Sequence, residues 1–124
     1  MRRMPITLNH TIVPSHDKES AAKFFARLFD LPYNGLNGHF APVQVNETLT
    51  LDWDNRDAFE NHHYAFLLND QEFDTVFGRL EAQGVVYGSG PSTPRDGQIN
   101  HRLGGRGLYF VDPDGHLMQI MTRA

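Results

Sequence analysis

The 124-residue chain contains no cysteine. That excludes disulfides, thiolate nucleophiles and Cys-based zinc or iron–sulfur sites, and it leaves histidine nitrogen and oxygen as the metal ligands on offer. Long apolar runs are missing too. None approaches the roughly 20 residues that a bilayer-spanning helix requires. Arg2 and Arg3 lead into Met4, Pro5, Thr7 and Asn9 without the apolar core of a signal peptide. A cytoplasmic protein without membrane contact is therefore expected. Basic charge is scarce: at a formal net charge of −4, the chain lacks the concentrated Lys and Arg that phosphate backbones demand, so nucleic acid is not an expected partner. Arg95, Arg102 and Arg106 remain as a group suited to a small anion.

The composition, 40% hydrophobic and 21% charged, is that of a globular chain with enough apolar surface to bury a core. Its organisation is a repeat. His10-Thr-Ile-Val opens one short apolar segment and His63-Tyr-Ala-Phe-Leu-Leu opens another. Asp17 and Asp70 keep the same offset, and after a one-residue slip Phe25-Ala-Arg-Leu28 matches Phe77-Gly-Arg-Leu80. Each copy reads strand, acidic helix start, amphipathic helix, turn.

In the second helix Phe73, Val76, Phe77 and Leu80 form one stripe of a 3.6-residue period, with Asp70 as the expected N-cap and Gly84 at the left-handed C-terminal position. In the first, Ala22, Phe25, Leu28 and Phe29 form the stripe; Ser15 or Asp17 starts it and Leu31-Pro32 stops it. Pro42 to Val45 and Thr48 to Trp53 read as strands. Gly107 to Val111 and His116 to Thr122 read as a hairpin around Asp112-Pro-Asp-Gly115. Gly88 to Gly105, rich in Gly, Pro, Ser and Arg, reads as a long mobile loop with a short strand near Gln98 to His101. The expected architecture is α+β: one domain over residues 1–124, with module one at about 5–55 and module two at about 60–124. Each module is a βαβββ unit, and the two form an open curved sheet cup with helices on its outer face.

Strand alternation selects the chemistry, because residues two apart share a face. Leu8, His10 and Ile12 share one; Tyr64 and Phe66 belong beneath a helix, which turns His63, Ala65 and Leu67 outward; Met118 and Ile120 do the same for Leu117, Gln119 and Met121. One polar group from each of three strands then faces the cup. His10, His63 and Gln119 form a donor set for a divalent metal (iron, nickel, zinc, manganese or cobalt) that leaves positions open for a substrate with two adjacent oxygens. Asp52, at the end of the first module's last strand, occupies the place that Gln119 holds in the second and is a further ligand candidate. His101 lies on the long loop and is the candidate proton-transfer residue. Arg102, Arg106 and Tyr109 are the candidate substrate contacts, the arginines through a carboxylate. His62 and His116 should face away from this group.

Leu8-Asn-His10, His62-His-Tyr-Ala-Phe66 and above all Gly105-Arg-Gly-Leu-Tyr-Phe-Val-Asp-Pro-Asp-Gly-His116 resemble the vicinal oxygen chelate superfamily: glyoxalase I, the bleomycin resistance proteins and the extradiol dioxygenases. The resemblance spans essentially the whole chain. It implies the paired βαβββ fold, a homodimer, and His10 and His63 as metal ligands. Gln119 stands where a glutamate is usual, so the site is less negative by one charge and a weaker metal binder. This departs from the two-His-one-carboxylate iron site of the extradiol enzymes. Ile12 stands where the fosfomycin-modifying thiol transferases carry threonine, and Asp52 where glyoxalase I carries glutamate. The expectation is a divalent-metal-dependent isomerase, lyase or dioxygenase acting on a small molecule. The alternative is a metal-free protein that sequesters a small molecule or antibiotic.

Overall fold

The structure, a computed structural model, describes residues 6–124; Arg2 to Pro5, considered above for a signal peptide, lie outside the described residues. The elements run β1 (His10–Ser15), α1 (Lys18–Phe29), β2 (Ala41–Gln44), β3 (Thr50–Asn55), β4 (His63–Leu67), α2 (Asp70–Ala82), β5 (Tyr87–Gly88), a 3-10 turn (Arg102–Gly104), β6 (Gly107–Val111) and β7 (Leu117–Met121). Contacts divide the chain into two compact units, one made of the residues up to Arg27 plus Leu31–Ala58, the other of Leu28–Asp30 plus Phe59–Ala124. Each has a mixed, open sheet, and the class is α+β.

The first unit's sheet has the order β1-β3-β2, with β1 parallel and β2 antiparallel to β3. A full βαβββ unit has one strand more. Here that position is reduced to the isolated bridge Asn37–Phe40, because Gly35 and Gly38 both take positive φ and turn the chain out of extended geometry on either side of it. Ala22, Phe25 and Ala26 of α1 are buried, as are Leu51 and Trp53. The Phe25 and Trp53 rings lie 5.2 Å apart in a tilted arrangement. Each such side chain contributes roughly 1.5–3 kcal/mol by leaving water. Asp17 is the residue that starts α1: its Oδ1 accepts from the Ser20 amide at 3.2 Å.

The second unit's sheet has the order β4-β7-β6-β5, with β4 parallel to β7 and the other pairs antiparallel. Phe73, Val76 and Leu80 of α2 are buried, with Leu108, Phe110, Met118 and Ile120 from the sheet. The N-cap of α2 is Asn69 rather than Asp70. Its side chain accepts from the Glu72 amide at 2.8 Å, and Glu72 Oε1 accepts from the Asn69 amide at 2.9 Å. This reciprocal capping box satisfies two helix-end donors, which Asp70 one residue later could not do. Gly84 follows the helix with φ +67°, as expected of a left-handed helix end.

The Gly88 to Gly105 segment, expected to be long and mobile, is laced to the sheet. The Asp96 carboxylate accepts from the Ser89 amide and hydroxyl and from the Gln98 amide. The Ser89 hydroxyl and the Gln98 amide hold its carboxyl below the usual carboxylate range. Gly97 N–H donates to Tyr87 O at 2.9 Å. Asn100 and Gly107 exchange both backbone hydrogen bonds, at 2.8 and 3.0 Å, so the short strand expected near Gln98 to His101 is this single bridge. Gly88 is needed because a Cβ there would run into the backbone of Thr93, Pro94 and Arg95. Among the described residues no helix is long and apolar enough to cross a membrane.

Candidate functional site

Strand register gives the repeat its residue-level meaning. In the first unit His10 pairs with Thr50 and Ile12 with Asp52. In the second His63 pairs with Leu117 and Ala65 with Gln119. His10 therefore corresponds to His63, and Asp52 to Gln119. On β4, His63, Ala65 and Leu67 are exposed and alternate with half-buried Tyr64 and Phe66. On β7, half-buried Leu117, Gln119 and Met121 alternate with buried Met118 and Ile120. The helix covers one sheet face, so every second residue must turn to the other.

On that free face His63 Nε2 lies 3.0 Å from Gln119 Oε1. The amide's orientation is set from its other end, where Nε2 donates to the Met121 sulfur at 3.6 Å. Tyr109, opposite Gln119 in the register, is buried, with its ring 6.1 Å from the His63 ring. Its hydroxyl accepts from Arg102 Nη1 at 3.2 Å. His63, Gln119, Tyr109 and Arg102 thus form one chain of contacts.

The first unit supplies a second prepared imidazole. His10 Nδ1 lies 2.8 Å from Asn9 Oδ1. The amide oxygen can only accept, so the proton sits on Nδ1 and Nε2 presents its lone pair. Thr50 and half-buried Asp52 flank it on the neighbouring strand.

The donors fit a divalent ion. Two adjacent ligands about 2.1 Å from an octahedral metal sit about 3.0 Å from each other, which is the His63–Gln119 separation. The amide oxygen can only accept, so Nε2 carries the proton in this hydrogen bond, and ligation requires that proton to move to Nδ1. No group of three His, Cys, Asp or Glu side chains gathers among the described residues, so the pair is two donors of an incomplete ligand set.

The remaining expected residues take different places. His101 is exposed on the loop, its Nδ1 donating to Gly105 O at 3.2 Å, which leaves Nε2 as a proton acceptor. Arg106 is occupied: Nη1 donates to Asp74 at 2.7 Å, Nη2 to Asp70 at 3.2 Å, and the guanidinium lies 4.5 Å over the Phe73 ring. Asn100, Arg102, Leu103, Arg106, Gln119, Met121, Arg123 and Ala124 line a cleft of about 150 Å³. Sequence reasoning passed over Arg123, since a charged residue beyond a last strand carries no periodic signal. Asn9 was visible in Leu8-Asn9-His10, but its role needed the hydrogen bond.

Beneath β4 lies a polar cluster on the helix side. His116 is fully buried, and its Nδ1 accepts from the His62 amide at 2.9 Å. The Tyr64 hydroxyl lies 2.7 Å from His62 Nδ1 in a hydrogen bond; burial, with the Asp112 charge nearby, pushes the phenol up to about 12. Asp112 Oδ1 accepts from the Asp114 and His116 amides at 2.9 and 2.8 Å, and burial raises its carboxyl above the usual range. This cluster anchors the strand on which His63 sits.

Residues 7–120 match the family model described as the Glyoxalase/Bleomycin resistance protein/Dioxygenase superfamily. The metallothiol transferase FosB of Lysinibacillus sphaericus (strain C3-41) is 23% identical over 125 residues, covering 94% of this chain and 82% of that protein. The solved structure of oxidase ChaP-H2 superposes with a TM-score of 0.91 at 44% identity, over 98% of this chain and 96% of the other. Oxidase ChaP-H1 gives 0.90 and 40%, over 97% and 98%.

Proposed function

Because the chain belongs to the Glyoxalase/Bleomycin resistance protein/Dioxygenase superfamily, we propose that it is a divalent-metal-dependent enzyme that oxidises a small substrate presenting two adjacent oxygens, with dioxygen as the electron acceptor. The observation that carries this reading is the 3.0 Å approach of His63 Nε2 and Gln119 Oε1 on an exposed sheet face. Similarity to two oxidases at 44% and 40% identity favours oxidation among the isomerase, lyase and dioxygenase chemistries that the sequence allows. Thiol transfer is disfavoured by Ile12 at the transferases' threonine position and by the lower, 23% identity.

His63, Gln119 and His10 would hold the ion, with Asp52 as a further oxygen donor on the His10 side. When bound, the ion supplies a Lewis acid for the substrate oxygens and, if it is iron or manganese, a redox centre. The rest belongs to this chain's own side chains. Asn9 fixes the His10 tautomer. The Tyr109 hydroxyl, polarised by Arg102, orients a substrate oxygen. His101 Nε2 is the acceptor for a substrate hydroxyl proton. The active protein is a homodimer, and the cysteine-free composition suits a cytoplasmic home.

Metal content tests the reading. Protein loaded with Fe2+, Mn2+ or Zn2+ should retain one ion per chain after desalting, and His63→Ala or His10→Ala should lower the retained fraction at least tenfold. Retention unchanged in both variants, or no retention by the unsubstituted protein, overturns it. The second reading, metal-free sequestration of a small molecule, has one observation behind it: His63 and Gln119 satisfy each other without an ion. Tight small-molecule binding in chelator, unchanged by both substitutions, would select it.

A further inference from the structure

The 150 Å³ cleft beside Gln119 has two cationic side chains, Arg102 and Arg123, that form no ion pair among the described residues. We propose that it seats a ring-sized carboxylate, the carboxylate between Arg102 and Arg123 and the ring under Leu103. The inference rests on the enzyme reading only in making this the substrate side of Gln119. Three guanidiniums line the cleft, but Arg106 is neutralised by Asp70 and Asp74. Arg102 is held by a neutral phenol, Tyr109. Among the described residues neither Arg102 nor Arg123 has an ion-pair partner. In a chain of net charge −4, two unmatched guanidiniums at one cleft mark a place for an anion, and their planar forks suit a carboxylate.

The loop is built to bring them together. Thr122 N–H donates to Arg106 O at 2.9 Å, and the Arg106 amide donates to Thr122 Oγ1 at 2.9 Å. Gly105 lies so close to the chain end that a Cβ there would fall 2.6 Å from Thr122 Oγ1 and 2.8 Å from Arg123 Cγ. These contacts fasten the turn carrying Arg102 to the residue preceding Arg123. The same turn holds Leu103 at φ +56°, a conformation that costs a bulky L-residue about 1–2 kcal/mol, and leaves its side chain 71% exposed. A ligand seated at the cleft's rim would cover this strained, exposed apolar side chain. A cavity of this volume accommodates one benzene-sized ring, and Met121 lines the cleft beside Gln119.

Salicylate, with one ring, a carboxylate and an adjacent hydroxyl, is the probe, and 2-hydroxybenzyl alcohol is its uncharged counterpart. Both are titrated into chelator-treated protein and followed by backbone amide shifts. Salicylate should bind saturably and shift amides in 100–106 and 119–123, and the alcohol should bind about tenfold more weakly. Arg102→Gln and Arg123→Gln should each weaken salicylate about fivefold and leave the alcohol unchanged, whereas Leu103→Ala should weaken both ligands alike. No saturation by about 20 mM, equal affinities for the two ligands, or shifts confined elsewhere overturns the proposal; so does insensitivity to both arginine substitutions in folded variants. If a variant does not fold, the acid-to-alcohol ratio on the unsubstituted protein still decides. Since no metal is present, the outcome is separate from metal retention, and either result can fail alone.

Discussion

His63 Nε2 and Gln119 Oε1 stand 3.0 Å apart across the parallel strands β4 and β7, a distance that suits both a hydrogen bond and two neighbouring ligands of one ion. The neutral amide sets how strongly such an ion is held. Gln119→Glu adds one negative charge at the same position and keeps the chain length. Its affinity for Zn2+ or Mn2+ should rise at least tenfold, measured by competition with a chromophoric chelator. An unchanged affinity would place the residue outside the metal's reach.

In the proposed site Asn9 acts on the metal through His10. Removing its amide oxygen by Asn9→Ala frees Nδ1 and lets the ring adopt the wrong tautomer. Loss of such an orienting partner costs 10–100-fold in metal affinity. About a tenfold weakening is expected, with Asn9→Asp restoring or exceeding the original affinity and the thermal midpoint barely altered.

Asp112 makes a pH-dependent contribution to stability. Its folded carboxyl is raised above the ordinary value by burial, so the folded state favours the protonated form. The stability this confers is fully present below the ordinary carboxylate pKa and is lost as pH rises through the raised folded value. Asp112→Asn keeps the Oδ1 acceptor for the Asp114 and His116 amides and removes the buried charge. Its melting temperature should exceed that of the unsubstituted protein at pH 8, and the gap should narrow on acidification. A gap that widens toward acid would contradict the assignment.

Gly88 and Asn69 give two stability tests of different size. Gly88→Ala drives a Cβ into the backbone of Thr93 to Arg95, where no side chain can swing aside, so at least about 3 kcal/mol should be lost. Asn69→Ala removes one half of the capping box and should cost about 1 kcal/mol. Urea denaturation distinguishes the two, and equal losses would count against the close packing at Gly88.

Unpaired edges support the proposed dimer. β1 and β4 are edge strands of their sheets, and Leu8, Ile12 and Leu67 nearby are 65%, 37% and 60% exposed. Edges of this kind invite pairing unless covered. Light scattering after size exclusion should give twice the 14.1 kDa chain mass, and monomer at micromolar concentration would refute it.

Much was legible before any coordinates. The strand faces holding His63 and Gln119, the helical stripe of Phe73, Val76 and Leu80, and the hairpin at Asp112 to Gly115 follow from period-2 and period-3.6 patterns and turn residues. These are local properties, set by which face must leave water. The correspondence of His10 with His63 was visible as a repeat. Other features had no local signal, because they depend on residues far apart in the chain. Arg106 reads as a substrate contact until Asp70 and Asp74, more than thirty positions earlier, take up its charge. The 88–105 loop reads as mobile because its Gly and Pro content reports turns, while its fastening rests on Asp96 to Ser89 and Asn100 to Gly107. The sequence by itself determined the element types, the free face and the polar residues on it. Only the tertiary structure decided which charges are already matched, because pairing depends on distances that the chain's order does not set.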